Sequence, residues 1–164
     1  KYFLPHSVYN MQLAQRGELI THHKDQAVLT LMKLHKEIET DFEKISPEMS
    51  LGELVKVVSK SKRNLFPVLD SDSHLVGIVS LDDIREIMFK VDMYSQTLVS
   101  DLMVPALGKV STDDSMDEVM KLFEITAAWN LPVLENGKYV GFVSKSKLFS
   151  AYRQQLRDFY EEEN

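Results

Sequence analysis

Apolar residues recur three and four apart over two stretches of this chain and bunch into short runs over four others. Leu51, Leu54, Val55 and Val58 share one side of a helix, and so do Met116, Val119, Met120 and Phe123. Each helix is announced by a serine with glutamate three residues on, Ser50 with Glu53 and Ser115 with Glu118, the pattern of a capping box. The short runs, at 65–69, 75–79, 130–134 and 139–143, are bounded by turn residues and predict strands. The first pair is joined by Asp70, Ser71, Asp72, Ser73 and His74, the second by the tight hairpin signal Asn136 and Gly137.

The remaining elements are weaker. Residues 42–45 predict a strand turned by Pro47, and Lys109 with Val110 a short one. Residues 81–89 predict a helix burying Ile84, Ile87 and Met88, and 98–103 a short helix. The last helix is expected from Ser144 to Phe159, with Glu161, Glu162 and Glu163 as a frayed, solvated end. Pro67 removes a ladder donor, so its strand is expected at an edge or pairing only after the proline. The nearly unbroken apolar run at 75–79 is expected to be covered on both faces.

These elements occur twice in one order, β-α-β-β-α. A shift of 65 residues carries Ser46, Ser50, Glu53, Lys56, Pro67, Val68 and Leu69 onto Ser111, Ser115, Glu118, Lys121, Pro132, Val133 and Leu134. After the hairpin turn a shift of 64 carries Val76, Gly77, Val79 and Ser80 onto Val140, Gly141, Val143 and Ser144. One residue lost at a turn, with register kept on either side, is the mark of a duplicated unit. The fold class is therefore α/β (α+β), with a leader at 1–40, a first repeat at 41–92 and a second at 93–160.

The leader reads as mostly helical. Ser7, Val8, Met11, Leu13 and Gly17 outline a short helix, and residues 18–21 a brief extended piece. Asp25 caps a stronger helix with Ala27, Val28, Leu31, Met32 and Leu34 on its apolar stripe. His22, His23 and His35 make no metal site on this pattern. Adjacent histidines on an extended segment point to opposite faces, and no HExxH motif surrounds them.

Composition narrows the function classes. With 44% hydrophobic and 27% charged residues, the 164-residue chain has material for an ordinary core. It has no cysteine, hence no disulfide, thiolate metal site or cysteine nucleophile. A net charge of −6 argues against a nucleic-acid binder, which needs a basic face. No apolar run reaches the roughly 18 residues that cross a bilayer. No Gly-x-Ser-x-Gly, P-loop or HExxH motif is present, and the acid pairs Asp82 with Asp83 and Asp113 with Asp114 sit at helix starts, so no enzyme is expected.

The β-α-β-β-α order, the proline before each hairpin and the Gly-h-h-Ser after it resemble the cystathionine-β-synthase (CBS) domain, in the tandem form called a Bateman module. The resemblance covers about residues 41–155 and implies two repeats related by pseudo-two-fold symmetry. Tyr9, Leu13 and Gly17-Glu18-Leu19-Ile20, with 59–67 and 129–133, further resemble the cytoplasmic C-terminal domain of bacterial CLC-type chloride channels and transporters. That likeness implies a regulatory module at the cytoplasmic face of the inner membrane, joined to a membrane domain of the same chain, paired as a homodimer, with Lys1 just after the last membrane helix. The alternatives are a structural dimerisation module without ligand, or the CBS module of another transporter such as a magnesium transporter.

Many CBS pairs hold adenine nucleotides between the repeats, with an Asp in the pattern Ser/Thr-x-x-Asp on the ribose. Ser80 and Asp83 match. A carboxylate accepts from both ribose hydroxyls. The same residues also serve as a helix cap and its N3 acid, a contribution of about 1 kcal/mol without any ligand; the pattern leaves both readings open. The resemblance implies a shared cleft of Ser80, Asp83, Val110, Ser111, Thr112, Asn130 and Leu131 for ATP, ADP or AMP, with Val110 and Leu131 enclosing the adenine. Trp129 lies beside this set and either stacks on a base or packs. The second cleft, with Ile45, Ser46, Asn64 and Phe66, faces Lys147 where the pattern has Asp; lysine accepts nothing from ribose, and Lys147 or Lys145 suits phosphate instead. No metal or catalytic residue is expected.

Overall fold

The structure is a computed structural model, and it describes residues 27–29 and 32–163. The expectations for residues 1–26 and Leu31 lie outside the described residues. Among those described, residues 27–29 are helical, and the bounded helices are α1 (Leu51–Lys60), α2 (Leu81–Ile84), α3 (Val99–Leu102), α4 (Met116–Thr126) and α5 (Lys145–Glu163). The strands are β1 (Leu65–Leu69), β2 (Leu75–Ser80), β3 (Val110–Ser111), β4 (Asn130–Glu135) and β5 (Lys138–Ser144). The chain divides into two compact units. One holds Ile38–Asp113 with Asn130–Val143, and therefore all the strands up to Val143 with α1, α2 and α3; the other holds Asp114–Trp129 and the described residues up to Glu37 and from Ser144 on.

Serine capping fixes where the two long-patterned helices begin. Ser50 Oγ accepts from the Glu53 amide and Ser115 Oγ from the Glu118 amide, each at 3.2 Å. Leu51 and Leu54 of α1 are fully buried, as is Phe123 of α4, beside Met116, Val119 and Leu122. The amphipathic spacing thus lands on the buried side as expected.

Strands β1 and β2 form an antiparallel hairpin in which Leu65 faces Ser80 and Pro67 faces Ile78. β1 is not an edge. Ile45 bridges Val68 in parallel on its other side, with Ile45 N–H donating to the Pro67 carbonyl and Leu69 N–H to the Ile45 carbonyl. The expected strand at 42–45 shrinks to that single bridge. Pro67 has no N–H to offer the chain before Ile45, so the ladder starts there. On the hairpin side no donor is missed, because Ile78 turns its backbone to Val104 at 2.8 and 2.9 Å. Nor is β2 covered on both faces: its burial alternates and Val76 is exposed.

The second sheet has the order β3-β4-β5, with β3 parallel to β4 and Val110 opposite Val133. Asn136 and Gly137 adopt φ 51° and 82°, as a type I′ hairpin turn requires.

Helix α2 stops earlier than its pattern suggests. The Tyr94 hydroxyl donates to the Met88 carbonyl at 2.6 Å, and the Lys90 amide turns back to Ile87 at 2.9 Å. These bonds fold 87–89 and 91–93 into 3-10 turns. Ile87, Met93 and Tyr94 thereby pack on a core of Ile45, Leu51, Leu54, Phe66, Val68, Val79, Ile84 and Val99. Phe89 is left exposed. Conversely α5 runs on to Glu163, so the acidic end is helical and not frayed.

Candidate functional site

The candidate site is built around the junction of β2 and α2. Ser80 closes the strand in extended backbone and turns its hydroxyl onto the Asp83 amide at 3.2 Å. The Leu81 amide is taken by the Asn64 carbonyl at 2.8 Å, which ties the junction to the start of β1. Neighbouring Asp82 is occupied by Arg85 at 2.6 Å. The Asp83 carboxylate is different. It is exposed and enters no hydrogen bond or ion pair among the described residues. The cap is made by serine alone, so the local geometry leaves Asp83 its full acceptor capacity.

The other expected residues fall into two groups. Val110 and Leu131 are fully buried. Their side chains are core, and neither offers an open face to a ring. Ser111, Thr112 and Asn130 keep accessible surface. They do not gather at one level, however. Thr112 N–H donates to the Leu134 carbonyl at 2.9 Å, at the far end of β4 from Asn130. Five steps of strand separate Asn130 from the residue opposite Thr112, about 16 Å at 3.3 Å per residue. Just before β3, Leu107 is an exposed apolar residue outside every element the sequence predicts. Its signal in the sequence is an apolar side chain next to Gly108, off any helical or strand period.

The second set is also redistributed. Ile45 and Phe66 are buried core residues and Ser46 is half-buried. Asn64 is exposed, and its carbonyl serves the junction at Ser80 and Leu81 rather than a separate place. Lys147 belongs to the other unit, where its amide donates to Ser144 Oγ at 3.2 Å. In that unit Trp129 is 72% exposed, with Lys145 Nζ 5.3 Å from its ring centroid. The ring does not pack in a core; it is a solvent-facing cation–π platform.

Two further features carry charge or buried polarity. In the turn after β1, Asp70 Oδ1 accepts from the Asp72 and His74 amides, both at 2.9 Å. These bonds, that from His74 foremost, hold the Asp70 carboxyl below the usual range. Asp70, Asp72 and His74 are also the grouping of potential metal ligands among the described residues, but the Asp70 carboxylate is already taken by the two turn amides and the His74 ring. On β5 the Tyr139 hydroxyl is buried without a hydrogen-bond partner among the described residues, and burial raises its pKa, with nearby Asp41 adding to the shift.

Comparison with known proteins decides the family. The CBS domain model matches this chain twice, at residues 36–90 and 99–154. The chain belongs to the CBS domain family. As a tandem CBS pair it is 33% identical over 121 residues to inosine-5'-monophosphate dehydrogenase of Pasteurella multocida, a match covering 68% of this chain and only 24% of that enzyme. Two solved CBS structures share the fold. One is the cytosolic domain of the Mg2+ channel MgtE in complex with ATP, at 22% identity and TM-score 0.59, covering 72% of this chain and 48% of that one. The other is CBSX2 of Arabidopsis thaliana in complex with AMP, at 22% identity and TM-score 0.60, covering 74% and 96%.

Proposed function

We propose that this CBS pair is the regulatory module of a CLC-type anion channel or exchanger and that it takes an adenine nucleotide, with the ribose on Asp83. The observation carrying this reading is the Asp83 carboxylate, exposed and uncommitted beside a helix start that Ser80 caps unaided. A carboxylate in that state accepts from two vicinal hydroxyls at little cost, because no internal bond must first be broken. Ser111, Thr112 and Asn130 are the accessible polar candidates for the base. The complexes of related CBS proteins with ATP and AMP support the ligand class. The likeness of Tyr9, Leu13 and Gly17 to Ile20 to the CLC linker supports the partner, a membrane domain of the same chain at the cytoplasmic face of the inner membrane. The leader at 1–40 then joins that domain to repeats at 41–92 and 93–160, and two modules pair. The ligand acts by preferring one arrangement of the repeats, and it shifts the equilibrium only by that difference in affinity.

Titration calorimetry with ATP, ADP and AMP tests the ligand. At least one nucleotide binds the folded chain, and Asp83→Ala weakens it by about 10-fold or more, the worth of a hydrogen bond to a charged group. Thermal stability changes little, since the carboxylate bonds nothing internally and only its charge at a short helix start is lost, worth a few tenths of a kcal/mol. Equal affinity in the variant, or no heat with any nucleotide, overturns the nucleotide reading and leaves a structural pairing module. Reconstituted with its membrane domain, the protein passes chloride; Mg2+ flux instead would move the module to the magnesium-transporter class.

A further inference from the structure

The segment at 38–42, where the leader enters the first repeat, is fastened on two sides. Toward the second repeat, the Glu39 amide donates to the Phe142 carbonyl at 2.8 Å and the Phe142 amide returns to Glu39 at 3.0 Å. Phe42 packs against Phe142, ring tilted to ring by 50° with centroids 4.7 Å apart, in a cluster with Leu69, Leu75 and Tyr139. Toward the first repeat, Arg63 grips Asp41 with two nitrogens, Nε to Oδ2 at 3.0 Å and Nη2 to Oδ1 at 2.6 Å. Its third nitrogen reaches Glu39 at 3.3 Å, and its guanidinium lies 4.6 Å over the Phe42 ring. A bidentate fork with an aromatic beneath it fixes geometry as well as charge, which lysine does not reproduce.

Arg63 is itself held in place. Ser61 Oγ accepts from the Arg63 amide and donates to its carbonyl, both at 3.0 Å. The next residue is Asn64, whose carbonyl takes the Leu81 amide beside Ser80. One short run of chain, Ser61 to Asn64, thus connects the leader strap to the junction carrying Asp83.

We propose that Arg63 is a positioning residue that couples the ligand junction at Ser80 and Asp83 to the strap at 38–42, making this strap the element through which nucleotide occupancy reaches the preceding chain. The coupling rests on the nucleotide reading of Asp83. A ligand on Asp83 fixes the start of α2, hence the Asn64 carbonyl, hence the angle at which Arg63 meets Asp41. By reciprocity, a strap pulled off Arg63 weakens the ligand by the same factor.

The test uses the full chain, with amide exchange followed by NMR at Glu39 and Phe142 and nucleotide affinity by calorimetry. In the wild type, the bound nucleotide slows exchange at both amides. Arg63→Gln speeds their exchange without ligand, abolishes the further slowing, and lowers affinity about 5-fold or more, the lower range of site-to-site coupling. Arg63→Lys falls between. Asp41→Asn reproduces the loss, and the double variant is no worse than either single one. A loosened strap with wild-type affinity in Arg63→Gln overturns the coupling and leaves the nucleotide reading standing. Unchanged exchange at Glu39 and Phe142 on binding to the wild type does the same. No binding to the wild type at all is instead the failure of the nucleotide reading, and the coupling falls with it.

Discussion

The two repeats begin their last helix with the same bond and then part. Ser80 accepts from the Asp83 amide and Ser144 from the Lys147 amide, each at 3.2 Å. An acid at the third position is therefore not what makes the cap; lysine serves as well, because only its backbone is used. The acid of the first repeat adds a free acceptor instead. The helices also differ in length: α2 ends at Ile84, whereas α5 continues to Glu163. One duplicated motif has become a short corner with an uncommitted acid in one copy and a long rod in the other.

Equivalent glycines sharpen the comparison most. Gly77 and Gly141 correspond under the repeat shift. A Cβ at Gly141 would lie 2.5 Å from the Glu39 carbonyl oxygen, a backbone atom held in a bridge to Phe142. A Cβ at Gly77 would meet the Met103 side chain, with the sulfur at 2.9 Å and Cβ and Cγ at 3.0 Å. Gly141→Ala is expected to destabilise by about 1–3 kcal/mol through forced backbone displacement. Gly77→Ala is expected to cost less, about 1 kcal/mol, since the Met103 sulfur and Cγ can swing aside and only its Cβ, at 3.0 Å, must shift with the backbone. Urea denaturation of the two variants measures both. Equal losses would mean that the strap at 38–42 yields as easily as a methionine.

The same contrast separates what local sequence encodes from what it does not. The serine caps, the β1 and β4 runs and the Asn136 turn were legible because each depends on residues within a few positions of itself. The strap was not. Glu39 pairs with Phe142, about a hundred residues away, and the Phe42 run offers only an ordinary strand pattern. Pro67 was legible as a missing donor, but its consequence falls on Ile45 and the chain before it, across the sheet. The end of α2 was hidden for a similar reason: Tyr94 takes the Met88 carbonyl from outside the helix. Within the candidate site, the pattern of Ser80 and Asp83 announced the local cap that Ser80 makes. The full burial of Val110 and Leu131 and the offset of Thr112 from Asn130 come from the parallel register of β3 on β4, which no local period reveals.

The caps give a second, smaller test. Ser80→Ala and Ser144→Ala each remove one bond to a helix amide and are expected to destabilise by about 1 kcal/mol. Their effects on ligand differ. Ser80 belongs to the proposed site, so its loss lowers nucleotide affinity as well as stability; Ser144→Ala lowers stability alone. Thermal unfolding and calorimetry on the same two variants read this out. An equal drop in affinity from Ser144→Ala would erase the asymmetry between the repeats.

The smallest expected effect distinguishes the hairpin turns by their response to acid. In the first repeat, the His74 amide above all, then the Asp72 amide and the His74 ring, favour the charged Asp70 carboxylate and lower its pKa. A carboxyl lowered in the folded state contributes stability that is fully present above its unfolded pKa and lost as pH falls through the folded one. The second turn, Asn136 and Gly137, contains no titrating group. On acidification below the ordinary aspartate range, amide exchange corrected for its intrinsic pH dependence should quicken at Asp72 and His74 and stay level at Gly137. Asp70→Asn should remove the pH response while leaving the turn formed, because an amide oxygen still accepts from both backbone donors. If the wild-type turn kept its protection through the acid range, the Asp70 bonds would be a consequence of the turn and not its support.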